Sequence, residues 1–318
     1  MPPLQRIVFL GSSEFAVPSL QVLSDSIDFR PLAVITQPDR PSGRNLKLTF
    51  TPVKKAALQL NLPVFQPEDI NSAEAREYLE NLHPDLLIVI AYGQKLKSRV
   101  RNISKNGAIN LHPSLLPALR GAAPIPFALW QGLKQTGLTI FQLTDKMDAG
   151  PILAQMPLFI FPDENATDMT ERFAYIGAQF LLEFLQKWQE HDIEPVLQDE
   201  SKATYCRKLE KEDFLLDWNK SAAELQNHIR ALSLTPGAYT IFRGRQLKIL
   251  QAEVKPEQSS YPAGSIVSIP KNEGFCVQTK EGQLLLKKVQ PAGKKVMSAW
   301  DYHLGAGLEI GERMGSDA

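Results

Sequence analysis

Leu86-Leu-Ile-Val-Ile-Ala91 and Gly107-Ala-Ile-Asn-Leu-His112 are the stretches whose reading decides the fold. Each is a short run rich in residues that favour strands, and the first is apolar throughout. That is the pattern of a strand covered on both faces. Similar runs recur outward along the chain at Ile7–Leu10, Leu32–Thr36, Pro63–Gln66, Leu138–Leu143 and Ile152–Ile160, with helical patterns between them. The alternation predicts an α/β domain with a doubly wound, mostly parallel sheet. Two helix starts are marked by capping residues: Thr51 before Pro52, and Asn71 with Glu74 three positions on.

From Thr167 to Glu190, Phe173, Ile176, Phe180, Leu181, Phe184 and Leu185 fall on one helical stripe, which predicts a long helix closing the first domain. Residues 191–206 are polar and weakly patterned, as a linker would be. Beyond them the spacing predicts a helix over 221–232 and five short strands, over 239–242, 246–254, 264–268, 275–278 and 284–289. Those strands suggest a small β-barrel. The expected domains are therefore 1–190 and 207–318, joined by 191–206.

The 318 residues are 43% hydrophobic, enough for two packed cores. Lys+Arg and Asp+Glu number 35 each, so any nucleic-acid contact must rest on local patches and not on a global field. The apolar run near Met1 is too short for a signal core or a membrane span, which predicts a cytoplasmic protein. Cys206 and Cys276 have neither C-x-x-C spacing nor a histidine cluster, so no metal and no disulfide is expected. Gly11-Ser-Ser-Glu-Phe15 lacks the glycines of a dinucleotide loop, and no phosphate loop occurs, so NAD is not expected either.

The chemistry points to the exits of two strands. On a strand over 108–112, Asn110 and His112 face the same side and arrive together at the carboxyl edge, where open α/β sheets bind ligands. The strand over 138–143 leads into Thr144-Asp-Lys-Met-Asp-Ala-Gly150, a second exit that would bring Asp148 to that edge. An amide, an imidazole and a carboxylate suit acyl transfer to an amine. The incoming nitrogen is its own nucleophile, and the protein has only to stabilise an oxyanion and move protons. On this reading Asp148 keeps His112 charged or oriented, because a nearby carboxylate raises an imidazole pKa. Asn81-Leu-His-Pro84 repeats Asn110-Leu-His-Pro113 and acts as an internal control: His83 falls at a helix end, where a structural role is expected.

The chain resembles the methionyl-tRNA formyltransferase family over nearly its whole length. The resemblance is carried by Thr36-Gln-Pro-Asp-Arg-Pro-Ser-Gly-Arg44, Ala91-Tyr-Gly93, Asn110-Leu-His-Pro-Ser-Leu-Leu-Pro117, Arg120-Gly-Ala-Ala-Pro-Ile125, Asp148-Ala-Gly150 and Gln290-Pro-Ala-Gly-Lys-Lys295. It implies a formyltransferase-like Rossmann variant followed by an OB-like barrel, with Asn110, His112 and Asp148 as catalytic residues and 10-formyltetrahydrofolate as donor. By the same resemblance Ser114, Leu115, Leu116, Pro117, Ile90, Tyr92 and Asp145 border the folate. Initiator methionyl-tRNA is the implied acceptor and a monomer the implied state. Arg44 is carried over as a tRNA contact, in a loop where five basic residues between Pro38 and Lys55 stand against the single Asp39. Lys47, Lys208, Lys287 and Lys294 extend the expected tRNA surface. Arg243, Arg245 and Lys248 form a further basic patch, and Trp218, Trp300 and Tyr302 are candidates for base stacking. Two rivals stay open: a formyltransferase for an amino sugar or other small amine, and a non-catalytic RNA-binding relative.

Overall fold

The computed structural model describes residues 5–42, 47–233 and 236–315. They gather into two compact units, one made of Met1–Gly121, Gln135–Phe159 and Thr170–Tyr205, the other of Ala122–Lys134, Ile160–Met169 and Cys206–Ala318. Two stretches that lie within the span 1–190, namely 122–134 and 160–169, thus belong to the second unit.

The first unit is built on a seven-stranded sheet. Its strands are β1 (Ile7–Gly11), β2 (Ala33–Ile35), β3 (Val64–Phe65), β4 (Leu86–Ile90), β5 (Ala108–His112), β6 (Gln135–Gln142) and β7 (Ile152–Phe159). They lie in the order β7-β6-β5-β4-β1-β2-β3. β1 to β5 run parallel, while β6 is antiparallel to both β5 and β7. β1 and β4 are buried at every position, which accounts for their unbroken apolar sequence. Chain order reverses between β1 and β4, and there the exits nearly touch: a Cβ on Gly11 would lie 3.0 Å from the Ile90 carbonyl oxygen. One face of the sheet packs Val8, Leu10, Ile35, Leu87, Val89 and Ala108 against Ile70, Ala75, Leu79 and Val100.

The helix Pro52–Gln59 begins as the sequence indicates, with the Thr51 hydroxyl accepting from the Lys54 amide and Pro52 in the first turn. The helix Ala73–Leu82 starts one residue later than expected. Ser72 caps it, accepting from the Ala75 amide, while the Asn71 carboxamide donates instead to Asp69 and the Lys95 carbonyl. A hydroxyl and an amide at adjacent positions compete for one cap, and here the amide has partners elsewhere.

In the second unit, Tyr239–Phe242, Arg245–Lys255, Gln283–Pro291, Phe275–Gln278 and Ile266–Ser268 pair antiparallel in that spatial order, with Met297–Ser298 beside Gln283–Pro291. This is an antiparallel half-barrel. The helix Ala222–Ala231, held by a capping box between Ser221 and Glu224, packs into it through Leu225 and Ile229. Trp218 is buried in the same core and donates its indole N–H to Thr240, so it is unavailable for stacking on a base. Tyr302 packs against that core as well. Cys206 and Cys276 are both buried and are not joined in a disulfide. Among the described residues no helix is long and apolar enough to cross a membrane.

Candidate active site

Because successive residues of a strand face opposite sides, Ala108, Asn110 and His112 share one face of β5. Ala108 belongs to the core cluster on that face. Asn110 and His112 continue the row toward the carboxyl end, where the cluster runs out. Leu111 points the other way, toward Gly177 in the helix Ala166–Glu190, whose missing side chain leaves room for it. Asn110 is half-buried and His112 is buried. The Asn110 carboxamide has no hydrogen-bond partner among the described residues.

Asp148 reaches this row by a route different from the one the sequence suggests. A parallel β6 would have delivered it directly to the same edge as His112. Since β6 is antiparallel, its last residue, Gln142, pairs with Ile109 near the start of β5. The following loop must turn back along β5. It is anchored by Leu143 in the core beside Ala108 and by Asp145, whose carboxylate meets the buried Arg101 guanidinium at 2.8 Å. The loop then brings an Asp148 Oδ2 to 4.0 Å from His112 Nδ1. Asp148 has a left-handed backbone, with φ of 48°. Its Oδ2 accepts the Gly121 amide at 2.8 Å, which ties its loop to the loop that follows β5.

His112 Nε2 lies 3.0 Å from the Leu119 carbonyl oxygen. A carbonyl only accepts, so Nε2 carries the hydrogen and the Nδ1 lone pair is turned toward Asp148. Burial pulls the imidazole pKa below its ordinary value. The Asp148 carboxylate and the Leu119 hydrogen bond pull upward without overcoming it. At 4.0 Å and without a hydrogen bond, the carboxylate compensates only part of the desolvation, so of the two roles expected of Asp148, keeping His112 charged or orienting it, burial favours the second.

The loop after β5 is firmly held. Ser114 is fully buried and donates to the Ala118 carbonyl. Thr139 donates to the Ser114 carbonyl and accepts from the Leu116 amide, and Gln155 donates to the Leu116 carbonyl. Leu115 packs over Gly137, where a Cβ would lie 2.6 Å from it. Ile90 and Tyr92 are buried, the latter in the core cluster, where burial pushes its phenol pKa up. Asp145 is largely exposed, and its ion pair with Arg101 holds its pKa down. Thr139 and Gln155 escape a sequence reading because nothing in a single Thr or Gln marks it as a loop anchor.

Of the expected tRNA residues, Arg44 lies outside the described residues, as does the side chain of Lys47. Lys208 and Lys294 are exposed. Lys287 is shared between Glu253 and Glu273. Arg243 is engaged by Glu312 and by the Ala306 and Gly307 carbonyls, which closes a turn and removes it from the patch. His228, given no role by its sequence setting, is structural: it is buried, stacks on Trp130 with ring centroids 4.2 Å apart, and hydrogen-bonds the Asp213 carbonyl.

Residues 5–185 match the family described as formyl transferase, and residues 208–307 match the formyl transferase C-terminal domain. The chain is 42% identical over 311 residues to the methionyl-tRNA formyltransferase of Roseiflexus castenholzii, covering 98% of this chain and 99% of that protein. It is also 42% identical over 315 residues to that of Acidithiobacillus ferrooxidans, covering 99% of this chain and all of the other. Among solved structures, the methionyl-tRNA formyltransferase from Clostridium thermocellum aligns with a TM-score of 0.57 at 15% identity, over 79% of this chain and 94% of that one. An N-formyltransferase from Helicobacter canadensis, solved with folinic acid and dTDP-3-aminofucose, aligns with a TM-score of 0.66 at 16% identity, over 90% and 99%. The last two likenesses concern the fold.

Proposed function

We propose a division of labour for a chain that belongs to the formyl transferase family, in its methionyl-tRNA formyltransferase branch. The chain formylates methionyl-tRNA. The donor is 10-formyltetrahydrofolate and the acceptor is the α-amino group of methionine on initiator tRNA, so the product serves translation initiation in the cytoplasm. Residues 1–190 form the folate-binding catalytic part, 207–318 the tRNA-binding part, and 191–206 the connection. The protein acts as a monomer.

The observation that carries the mechanism is the 4.0 Å separation of His112 Nδ1 and Asp148 Oδ2 at the end of a face that also presents Asn110. The amine attacks the formyl carbon, and its carbonyl oxygen becomes an oxyanion, to which the uncommitted Asn110 carboxamide donates. His112 enters neutral, as burial favours, and its Nδ1 lone pair takes the proton released by the nitrogen. The resulting imidazolium is stabilised by Asp148. It then gives the proton to the departing nitrogen of the donor, so the amine loses one proton and the leaving group gains it. Where the amine arrives charged, Asp148 receives its extra proton, directly or through water, and passes it to solvent before the attack, so that it is a carboxylate again when the imidazolium forms. Ser114 to Pro117, Ile90, Tyr92 and Asp145 border the donor. Arg44, Lys47, Lys208, Lys287 and Lys294 contact the tRNA.

Transfer of labelled formyl from 10-formyltetrahydrofolate to charged initiator tRNA tests the whole reading. Uncharged tRNA and a panel of amino sugars are the controls. Label appearing on an amino sugar but not on methionyl-tRNA would overturn it.

A further inference from the structure

Arg120 is the largest of the fully buried side chains, at 1% exposure, and the mechanism gives it no task. A buried guanidinium needs a partner for its charge and acceptors for its donors. It finds them in the stretch the sequence suggests is a plain linker. Its Nη1 and Nη2 donate to the two oxygens of Glu200 at 3.0 and 3.1 Å, a forked pair. Its Nε and Nη2 donate to the side-chain oxygen Oε1 of Gln198 at 3.0 and 2.8 Å. With its oxygen so engaged, the Gln198 amide points Nε2 at the main chain of the catalytic loop. It donates to the Asp148 carbonyl at 2.8 Å and to the Gly150 carbonyl at 2.7 Å.

The same stretch joins both loops by backbone bonds. Val196 exchanges a pair of hydrogen bonds with Ile152 at the start of β7, and Thr204 accepts from the Arg120 amide while donating its own to Pro117. Asp148 is thus held from two sides, its carboxylate by Gly121 and its carbonyl by Gln198, in a left-handed conformation that an unsupported Asp seldom keeps.

We infer that Arg120, Gln198 and Glu200 form a latch that positions Asp148 against His112, so that residues 198–200 are part of the catalytic apparatus and not only a connection. The inference rests on the proton-transfer role proposed for Asp148. Arg120, Gln198 and Glu200 are positioning residues: they act through the Asp148 main chain and touch no reacting atom.

Gln198→Met in the full-length protein removes the amide while nearly preserving its volume, and leaves Arg120 its ion pair with Glu200. If Asp148 drifts from its place, turnover falls by about 10- to 100-fold, the usual cost of misplacing a reacting group by an ångström. KM values for formyl donor and charged tRNA stay within about threefold, since neither is bound by the latch. The acid limb of the pH–rate profile moves to lower pH, because His112 loses the carboxylate that holds its pKa up. Glu200→Gln, altered on the exposed side of the latch, produces the same shift to a smaller extent and decides the matter if Gln198→Met does not fold. Wild-type turnover with an unmoved acid limb overturns the latch, as does a loss of turnover that only follows a fall in melting temperature. Asp148→Asn is measured in parallel. If it retains full turnover, the catalytic reading and the latch fall together. If it loses turnover while the latch variants behave as wild type, the latch alone falls.

Discussion

Asp148→Asn isolates the electrostatic part of the mechanism. Asparagine keeps an oxygen able to accept the Gly121 amide, and its backbone still offers the carbonyl that Gln198 holds, so the loop retains its anchors. The carboxylate charge is lost. In the wild type it stands 4.0 Å from His112 Nδ1, with both side chains mostly buried. At an effective dielectric near 20, a pair at that distance interacts by about 4 kcal/mol. This stabilisation applies to the imidazolium formed during transfer and not to the neutral ground state, so its loss raises the barrier. The full amount corresponds to about 10³ in turnover, and partial relaxation toward solvent reduces it to about 10². The pH dependence has a fixed sign. Activity requires neutral His112 and is lost as pH falls through its pKa; Asp148 raises that pKa, against the larger opposing effect of burial. Removing Asp148 moves the acid limb to lower pH, while the ionisation of the substrate amine is common to both proteins and cancels in the comparison. Single-turnover transfer to charged tRNA, measured across the acid range for both proteins, reads the two effects together. A rate within about threefold of wild type, or an acid limb displaced upward, would refute the reasoning.

Other outcomes follow from the same geometry. Asn110→Ala should lower turnover by about 10²–10³ with little change in donor affinity, as expected for loss of an oxyanion donor; steady-state kinetics at saturating tRNA would check it. Gly150→Ala should destabilise the protein by about 1–3 kcal/mol, because the new Cβ would overlap the Gln142 carbonyl oxygen and the backbone must move; thermal melting measures this, and turnover should fall with it since the displaced loop carries Asp148. Arg44→Ala and Lys294→Ala should raise KM for tRNA and flatten its salt dependence by about one unit of slope for each phosphate no longer neutralised, leaving folate titrations unchanged.

Most of the scaffold was legible because it rests on patterns that local physics enforces. The strand β4 announces itself as an unbroken apolar run, and the expected span 108–112 of β5 coincides with the strand found. The Thr51-Pro52 start was legible for the same reason: a hydroxyl and a proline at adjacent positions fit few other local structures. The direction of β6 was not legible, since a strand reads alike whether its neighbour runs parallel or antiparallel, and the route of the Asp148 loop depends on that direction. The state of His112 was hidden too. Sequence shows that a carboxylate lies within reach but not how deeply the ring is buried, and here burial outweighs the carboxylate. Arg243 and Lys287 illustrate a third limit. A basic residue looks available to phosphate until the fold brings Glu312, Glu253 or Glu273 beside it.

The repeated tetrapeptide shows where the information for the site resides. Asn81-Leu-His-Pro84 and Asn110-Leu-His-Pro113 share every atom that a motif search would match. His83 closes the helix Ala73–Leu82 in a left-handed turn with φ of 43°, on a stretch whose capped start and amphipathic spacing commit it to a helix. His112 follows Gly107-Ala-Ile, where glycine breaks any preceding helix and the apolar residues extend into the centre of the sheet. The strand turns Asn110 and His112 to one side, and the core supplies the burial that keeps the imidazole neutral. The proline after each histidine ends its element, but only the second element ends at an edge to which two other loops are tied. Moving the tetrapeptide would therefore not move the chemistry, because the catalytic character of His112 is conferred by the strand beneath it and by the carboxylate that Gly121 and Gln198 hold in place.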